Sequence, residues 1–241
     1  MPLLSIVVPV HNEAAYIADF LPAMTNEIVD ATGSPQELIV VENGSTDGTA
    51  QLANELCENL RTLGWKAEVI SLPFPDYGAA MRAGFEQSHG DWVVNFDIDY
   101  FSGPFVAGLI ATSADIVIAS KRAPESEDHR SLLRRTGTFG FNVLLKFLVG
   151  SKVTDTHGIK AFRRTVIDSM LDTVQSNKDL FDTELVIRSE RAGFSIAEVP
   201  IIVEERRAAR TPFVKRIPRT LKGLVQLRAS FERERRNTRS R

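Results

Sequence analysis

An α/β fold, a mostly parallel sheet with helices on both faces, follows from three observations on this 241-residue chain. Apolar strand-like runs alternate with segments of helical periodicity through the first hundred residues. Those runs are apolar at consecutive positions, as strands buried on both faces must be. Polar clusters rich in Asp, Glu and Asn follow them, at the edge where open α/β sheets bind ligands.

Leu4-Ser5-Ile6-Val7-Val8-Pro9-Val10 is the first strand, and Tyr16, Ile17, Phe20, Leu21 and Met24 then recur at helical spacing. Glu37-Leu38-Ile39-Val40-Val41 is the second strand, followed by a turn-rich loop over 43–48. Residues 49–60 read as a helix, 67–72 as a strand and 78–88 as a helix. A strand over 91–96 ends in Asp97-Ile98-Asp99. Further on come a strand over 115–120, a charged loop over 121–130, an apolar helix over 132–149 interrupted by Gly137, Gly140 and Lys146, and a strand over 197–203. No repeat or low-complexity tract breaks the chain. The expected organisation is a body over 1–212 and a basic amphipathic helix and tail over 213–241, mobile from 232 onward.

Hydrophobic residues make up 43% and charged residues 25%, which excludes a disordered chain. The lone Cys57 cannot form an internal disulfide, which fits a reducing compartment. No apolar run reaches the ~18 residues of a membrane span. The run over 3–10 lacks a basic flank and meets His11-Asn12-Glu13, so it does not read as a signal peptide.

The net charge of −2 hides an asymmetry: residues 204–241 hold 13 Lys and Arg against 4 Asp and Glu, the rest 16 against 27. A basic tail on an acidic body suits an anionic membrane or nucleic acid, and no nucleic-acid motif accompanies it. Within it Phe213, Ile217, Leu221, Leu224 and Phe231 form an apolar stripe, with Lys215, Arg216, Arg219, Lys222 and Arg228 on other faces. Such a helix lies on a membrane, or packs its stripe on the body or on a second subunit.

Asp97 and Asp99 are the sharpest chemical feature. Alternate residues of an extended segment face the same way, so the two carboxylates are expected to converge while Ile98 turns to the core. A pair of hard oxygen ligands suits Mg²⁺ or Mn²⁺; an Asp-rich turn that only solvates a strand end is the alternative. The loop over 44–48 lacks the lysine of a P-loop, which argues against an NTPase of that class.

Val8-Pro9-Val10-His11-Asn12-Glu13, then Val40-Val41-Glu42-Asn43-Gly44-Ser45-Thr46-Asp47-Gly48-Thr49, then Phe96-Asp97-Ile98-Asp99 follow one another in the order of the motifs of family 2 glycosyltransferases. The chain resembles that family, and the resemblance implies a GT-A fold. The stretches 115–122, 155–163 and 181–185 with 193–200 resemble its polyprenyl-phosphate sugar synthases, such as dolichyl-phosphate mannose and glucose synthases. The resemblance runs over about residues 4–215. It implies that Pro9, His11, Glu13, Val40, Glu42, Phe96 and Ile98 line the nucleotide pocket, and that Asp97 and Asp99 hold the metal at the diphosphate. Lys121, Arg122, Arg134 or Arg135, Arg206 and Arg210 would meet phosphates of donor or acceptor. The catalytic set implied is Asp97, Asp99, Arg122, Arg135 and Arg206. The chain departs from the family pattern with His11 for Tyr, Glu42-Asn43 for Asp-Asp, Phe101 for a polar metal-side group and Pro75-Asp76-Tyr77-Gly78 at a helix entry.

These residue types suit sugar transfer from a nucleotide sugar. A divalent ion offsets charge on the departing diphosphate. A hydroxyl acceptor must lose a proton to a base, for which Asp182 or Glu184 are candidates. A lipid monophosphate is already largely dianionic near neutrality and needs cations instead, arginine above all. The reading is an inverting, Mg²⁺- or Mn²⁺-dependent hexosyltransferase using GDP-mannose or UDP-glucose and polyprenyl phosphate, peripheral at the cytoplasmic face of a membrane. It is compatible with a homo-oligomer or a small membrane-protein partner. The alternatives are a hydroxyl-acceptor transferase and a silent nucleotide-sugar-binding adaptor. His157 is either a substrate contact or a hydrogen-bonding residue, and the helix over 132–149 either lines a prenyl groove or packs in the core.

Overall fold

The computed structural model describes residues 3–239 except 122, 124, 129–131, 155, 157, 177–179 and 204–212. A seven-stranded sheet forms its centre, in the order β3-β2-β1-β4-β7-β5-β8. The strands are β1 (Leu4–Val10), β2 (Glu37–Asn43), β3 (Lys66–Leu72), β4 (Trp92–Asn95), β5 (Ile116–Ser120), β7 (Lys160–Arg163) and β8 (Ile196–Pro200). All pairings are parallel except those of β7, which runs antiparallel between β4 and β5. A separate two-residue ladder joins β6 (Glu127–Asp128) to β9 (Ile202–Val203).

Every residue of β2 and β5 is buried, which explains the unbroken apolar runs 38–41 and 116–119 at their centres. Alternate side chains feed two cores. On one face Ile6, Val8, Val94 and Phe96 pack under α1 (Ile17–Thr32), α2 (Thr49–Thr62) and α4 (Gly103–Gly108). On the other Val7, Ile39, Val93 and Phe162 pack under α3 (Tyr77–Gln87), α6 (Arg164–Met170) and α7 (Phe181–Ala192). In α1 the buried Ile17, Leu21, Met24 and Ile28 mark the core-facing stripe, and Gly33 in the left-handed region ends the helix. Asp76 and Ser102 cap α3 and α4 by accepting from Ala79 N and Phe105 N.

A third apolar cluster joins α5 (Leu132–Val149), α7 and α8 (Phe213–Arg239) through Leu145, Val149, Leu180, Ile187, Leu224, Leu227 and Phe231. The end from 232, expected to be mobile, continues α8 as helix to Arg239, and Phe231 lies beneath Arg188 and Arg191. Helix α5 is split in the same way, with Leu145 and Val149 buried and Phe147 80% exposed. Among the described residues no helix is long and apolar enough to cross a membrane.

Candidate active site

Three loops meet at the carboxyl ends of β1, β2 and β4. The first two are laced together by their own motif residues. Asn12 N donates to Ser45 Oγ (2.9 Å), Thr46 N to Asn12 Oδ1 (2.9 Å), Glu13 N to Thr49 Oγ1 (2.8 Å) and Ala14 N to Asp47 Oδ2 (3.1 Å). The His11 ring pairs with Asn43 O at 2.8 Å. Glu42 accepts from Ser45 N (2.5 Å), and Asn43 Oδ1 from Asp76 N (2.7 Å). Gly44, at φ +64°, presses on the Phe74 backbone, where a Cβ would lie 2.8 Å from its carbonyl carbon. These bonds leave Pro9 and His11 half-buried at the edge, with Glu13 and Glu42 nearly enclosed. Val40, Phe96 and Ile98 are buried in the core, so any contact they make with a nucleotide runs through backbone.

The strand β4 stops at Asn95, and Asp97-Ile98-Asp99-Tyr100 is a turn closed by Tyr100 N donating to Asp97 O at 3.0 Å. The expected extended geometry is thereby corrected, because the chain must reverse into α4. Ile98 still anchors the turn in the core, with Asp97 exposed and Asp99 half-buried. Water reaches Asp97, yet its carboxyl lies among closely packed protein atoms. That crowding, then Asp99 and Asp182, push its pKa up to about 6, partly offset by Lys160 and Lys121.

The antiparallel β7 brings the other charges to this end. Its first residue, Lys160, lies opposite Asn95 in the ladder and is wholly buried. Lys160 Nζ donates to Asp182 Oδ2 (2.5 Å) and Gly158 O (2.9 Å), and Asp182 Oδ1 accepts from Thr183 N (2.8 Å). Asn95 Oδ1 is buried with no hydrogen-bond partner among the described residues. Gly158, at φ +117°, makes room for Lys121: a Cβ there would lie 2.9 Å from its Nζ. That ammonium stands 5.8 Å from the Tyr100 ring centroid. Glu184 lies elsewhere, fully buried, accepting from Gln175 N, Ser176 N and Arg188.

Lys160 had no role in the sequence reading. Its signal was a lysine at an inward position of Ile159-Lys160-Ala161-Phe162, where only a paired charge is tolerated. Phe101 is a core residue, 5% exposed. Arg122, Arg206, Arg210, Asp155 and His157 lie outside the described residues, as do the side chains of Arg134 and Arg135.

The turn fits a divalent cation. Its donors are hard carboxylate oxygens, and burial, then the neighbouring Asp99 and Asp182 charges, raise the pKa of Asp97, a cost that a cation there would relieve. Among the described residues no three His, Cys, Asp or Glu side chains gather to hold an ion.

The family model for glycosyl transferase family 2 matches residues 5–171, across the three loops and β7. The chain is a member of glycosyl transferase family 2. Family membership makes it a sugar-transferring enzyme. It is 26% identical over 251 residues to the dolichyl-phosphate β-glucosyltransferase of Saccharomyces cerevisiae, covering 95% of this chain and 75% of that one. It is 29% identical over 225 residues to the polyprenol monophosphomannose synthase of Mycolicibacterium smegmatis, covering 83% and 77%. Glycosyltransferase AglD of Haloferax volcanii is 28% identical over 222 residues, which take in 88% of this chain and 35% of AglD. The chain thus matches about a third of AglD's length. The fold is that of glucosyl-3-phosphoglycerate synthase from Mycobacterium tuberculosis, solved with Mn²⁺, UDP and glucosyl-3-phosphoglycerate: TM-score 0.63, 22% identity, 95% of this chain and 79% of that one.

Proposed function

We propose that this family 2 enzyme moves one hexose, with inversion, from GDP-mannose or UDP-glucose to a polyprenyl phosphate. The observation that carries the reading is the place of Asp97 and Asp99, at the central strand between the loops of β1 and β2 on one side and Lys121 on the other. Donor and acceptor belong on opposite sides of that turn. The names of the yeast and mycobacterial relatives support the lipid-phosphate acceptor and leave the sugar open between glucose and mannose.

A divalent ion, Mg²⁺ or Mn²⁺, would be held by Asp97 and Asp99 and supply positive charge to the departing diphosphate. The chain's own residues do the rest. The laced loops around Pro9, His11, Glu13 and Glu42 bind the nucleoside. Lys121, with Arg122, Arg135, Arg206 and the neighbouring Arg134 and Arg210, grips phosphate. No base is required, because a lipid monophosphate dianion is itself the nucleophile. The bonding of Asp182 agrees: both its oxygens already accept hydrogen bonds, from Lys160 and from Thr183 N. Residues 1–212 form the catalytic body, and 213–241 bring it to the cytoplasmic face of a membrane.

Radiolabelled GDP-mannose and UDP-glucose, each with Mn²⁺ or Mg²⁺ and polyprenyl phosphate, test the reading. An acid-labile lipid-linked sugar is expected. A stable glycoside formed only with hydroxyl acceptors would overturn it.

A further inference from the structure

A cavity of about 570 Å³ opens beside the Asp97–Asp99 turn, on the β5–β8 side of β4 and away from the loops of β1 and β2. Tyr100 and Phe101, which directly follow Asp99, form its near wall, and Val117, Val199, Pro200 and Ile201 continue it outward. Its polar groups are few. Glu27 and Ser102 also line it, but both are committed to the start of α4, accepting from Gly103 N (2.7 Å) and Phe105 N (3.2 Å). Thr112 accepts from Ala114 N, and Glu125 faces solvent. The Lys121 ammonium lies 5.8 Å from the ring centroid of Tyr100, one of the lining residues.

This arrangement asks for a ligand with one anionic end and a bulky apolar body. A nucleoside or a sugar would leave its polar groups unpaired against such walls. Inorganic phosphate would leave the apolar surface wet. We propose that the cavity receives the first isoprene units of the acceptor, its phosphate lying at the Lys121 end beside Asp99. This rests on the lipid-phosphate reading above and adds to it where the tail goes.

The test compares dimethylallyl phosphate, one isoprene unit, with farnesyl phosphate, three units, in the absence of membranes. Gly108 lines the cavity, and a Cβ there meets nothing within 4 Å, so Gly108→Leu adds apolar bulk from an open position. Ile202, 60% exposed and also lining it, is changed to Glu. Leu63→Glu, at the far end of α2, is the control. The readout is the ratio of KM for the short acceptor to KM for the long one, with melting temperature followed in parallel. The wild-type ratio is expected to be at least about tenfold, from two further isoprene units of which even a small part is buried, and to fall below about threefold in both cavity variants while Leu63→Glu keeps it. A ratio unchanged in the cavity variants, or changed equally by the control, overturns the cavity assignment and leaves the acceptor reading standing. A wild-type enzyme that uses both prenyl phosphates alike does the same. A wild type that transfers sugar to hydroxyls and to neither prenyl phosphate overturns both, and is recognised before any variant is made.

Discussion

Lys160 Nζ donates a 2.5 Å hydrogen bond to Oδ2 of Asp182, from a side chain with no solvent exposure. The two residues lie at the starts of separate elements, Lys160 opening β7 and Asp182 second in α7, and their pairing ties the site end of the sheet to the helix behind it. Buried pairs are costly to break and often neutral to replace together. Asp182→Asn leaves the ammonium buried without its counter-charge, and should lower stability by about 3–5 kcal/mol in urea unfolding. The double variant Lys160→Met with Asp182→Asn should recover most of that loss. A double variant as unstable as the single one would show that the pair is not the cause.

Glu184 is expected to behave as a brace. Its carboxylate is fully buried and holds the backbone at Gln175 and Ser176 together with Arg188, which in turn holds Glu234 of α8. Glu184→Gln should cost about 1–3 kcal/mol of stability. The rate at saturating substrates should stay within about twofold, measured below the variant's melting range. A rate loss as large as that at Asp97 would restore Glu184 as a base and favour a hydroxyl acceptor.

Asp97→Asn and Asp99→Asn should each reduce transfer by about a hundredfold or more, with circular dichroism unchanged. Asp97→Asn should also raise the melting temperature of the metal-free protein near neutral pH. The folded-state pKa of about 6 lies above the ordinary carboxylate value, so the folded protein holds this proton more tightly than the unfolded chain. Asp97 therefore favours folding most at low pH, and that contribution disappears as pH rises to about 6. Asparagine removes the neutral-pH penalty, and the gap from wild type should close toward about pH 4. A variant that melts below wild type at neutral pH would contradict the charge crowding.

Metal affinity should follow the same proton. Mn²⁺ competes with it at Asp97, so calorimetric affinity should fall as pH drops below about 6, with proton uptake by buffer appearing over that range. Affinity that stays flat from neutral pH well below that value would separate Asp97 from the ion.

Helix α8 carries two separable roles. Leu224, Leu227 and Phe231 face α5 and α7, and Arg191 lies 3.7 Å from the Phe231 ring centroid. Phe231→Ala should destabilise the protein by about 3–5 kcal/mol. Lys222 and Arg228 are exposed, and replacing both by Glu breaks the exposed Arg228–Glu232 pair and should cost about 1 kcal/mol of stability or less while anionic vesicle flotation falls, each basic residue contributing ~1 kcal/mol near the surface. Flotation indifferent to the charge reversal and to salt would make α8 a packing element alone.

The chain's own order of residues sufficed for β1, β2, β4 and the loops after them. A strand buried on both faces is apolar through most of its length, and the loop beyond it is polar because it meets solvent and ligand. Those signals are local. Asp97 and Asp99 were legible for the same reason, although the turn that holds them was not, since its shape depends on the chain reversing into α4. The stripe on α8 was legible as a stripe; periodicity reports that a face is apolar, never what covers it, and only the fold set Leu224 and Phe231 against α5 and α7. The antiparallel entry of β7 was beyond local reading altogether. Strand direction is settled by which neighbours a segment pairs with across the sheet, here Asn95 to Lys160, 65 positions apart in register. That choice placed a lysine under an acidic turn, drew Asp182 to it and left Lys121 room over Gly158. The sequence by itself determined the fold class, the family and the carboxylate pair; tertiary structure decided which charges surround that pair, because only long-range pairing brings them within a few ångströms.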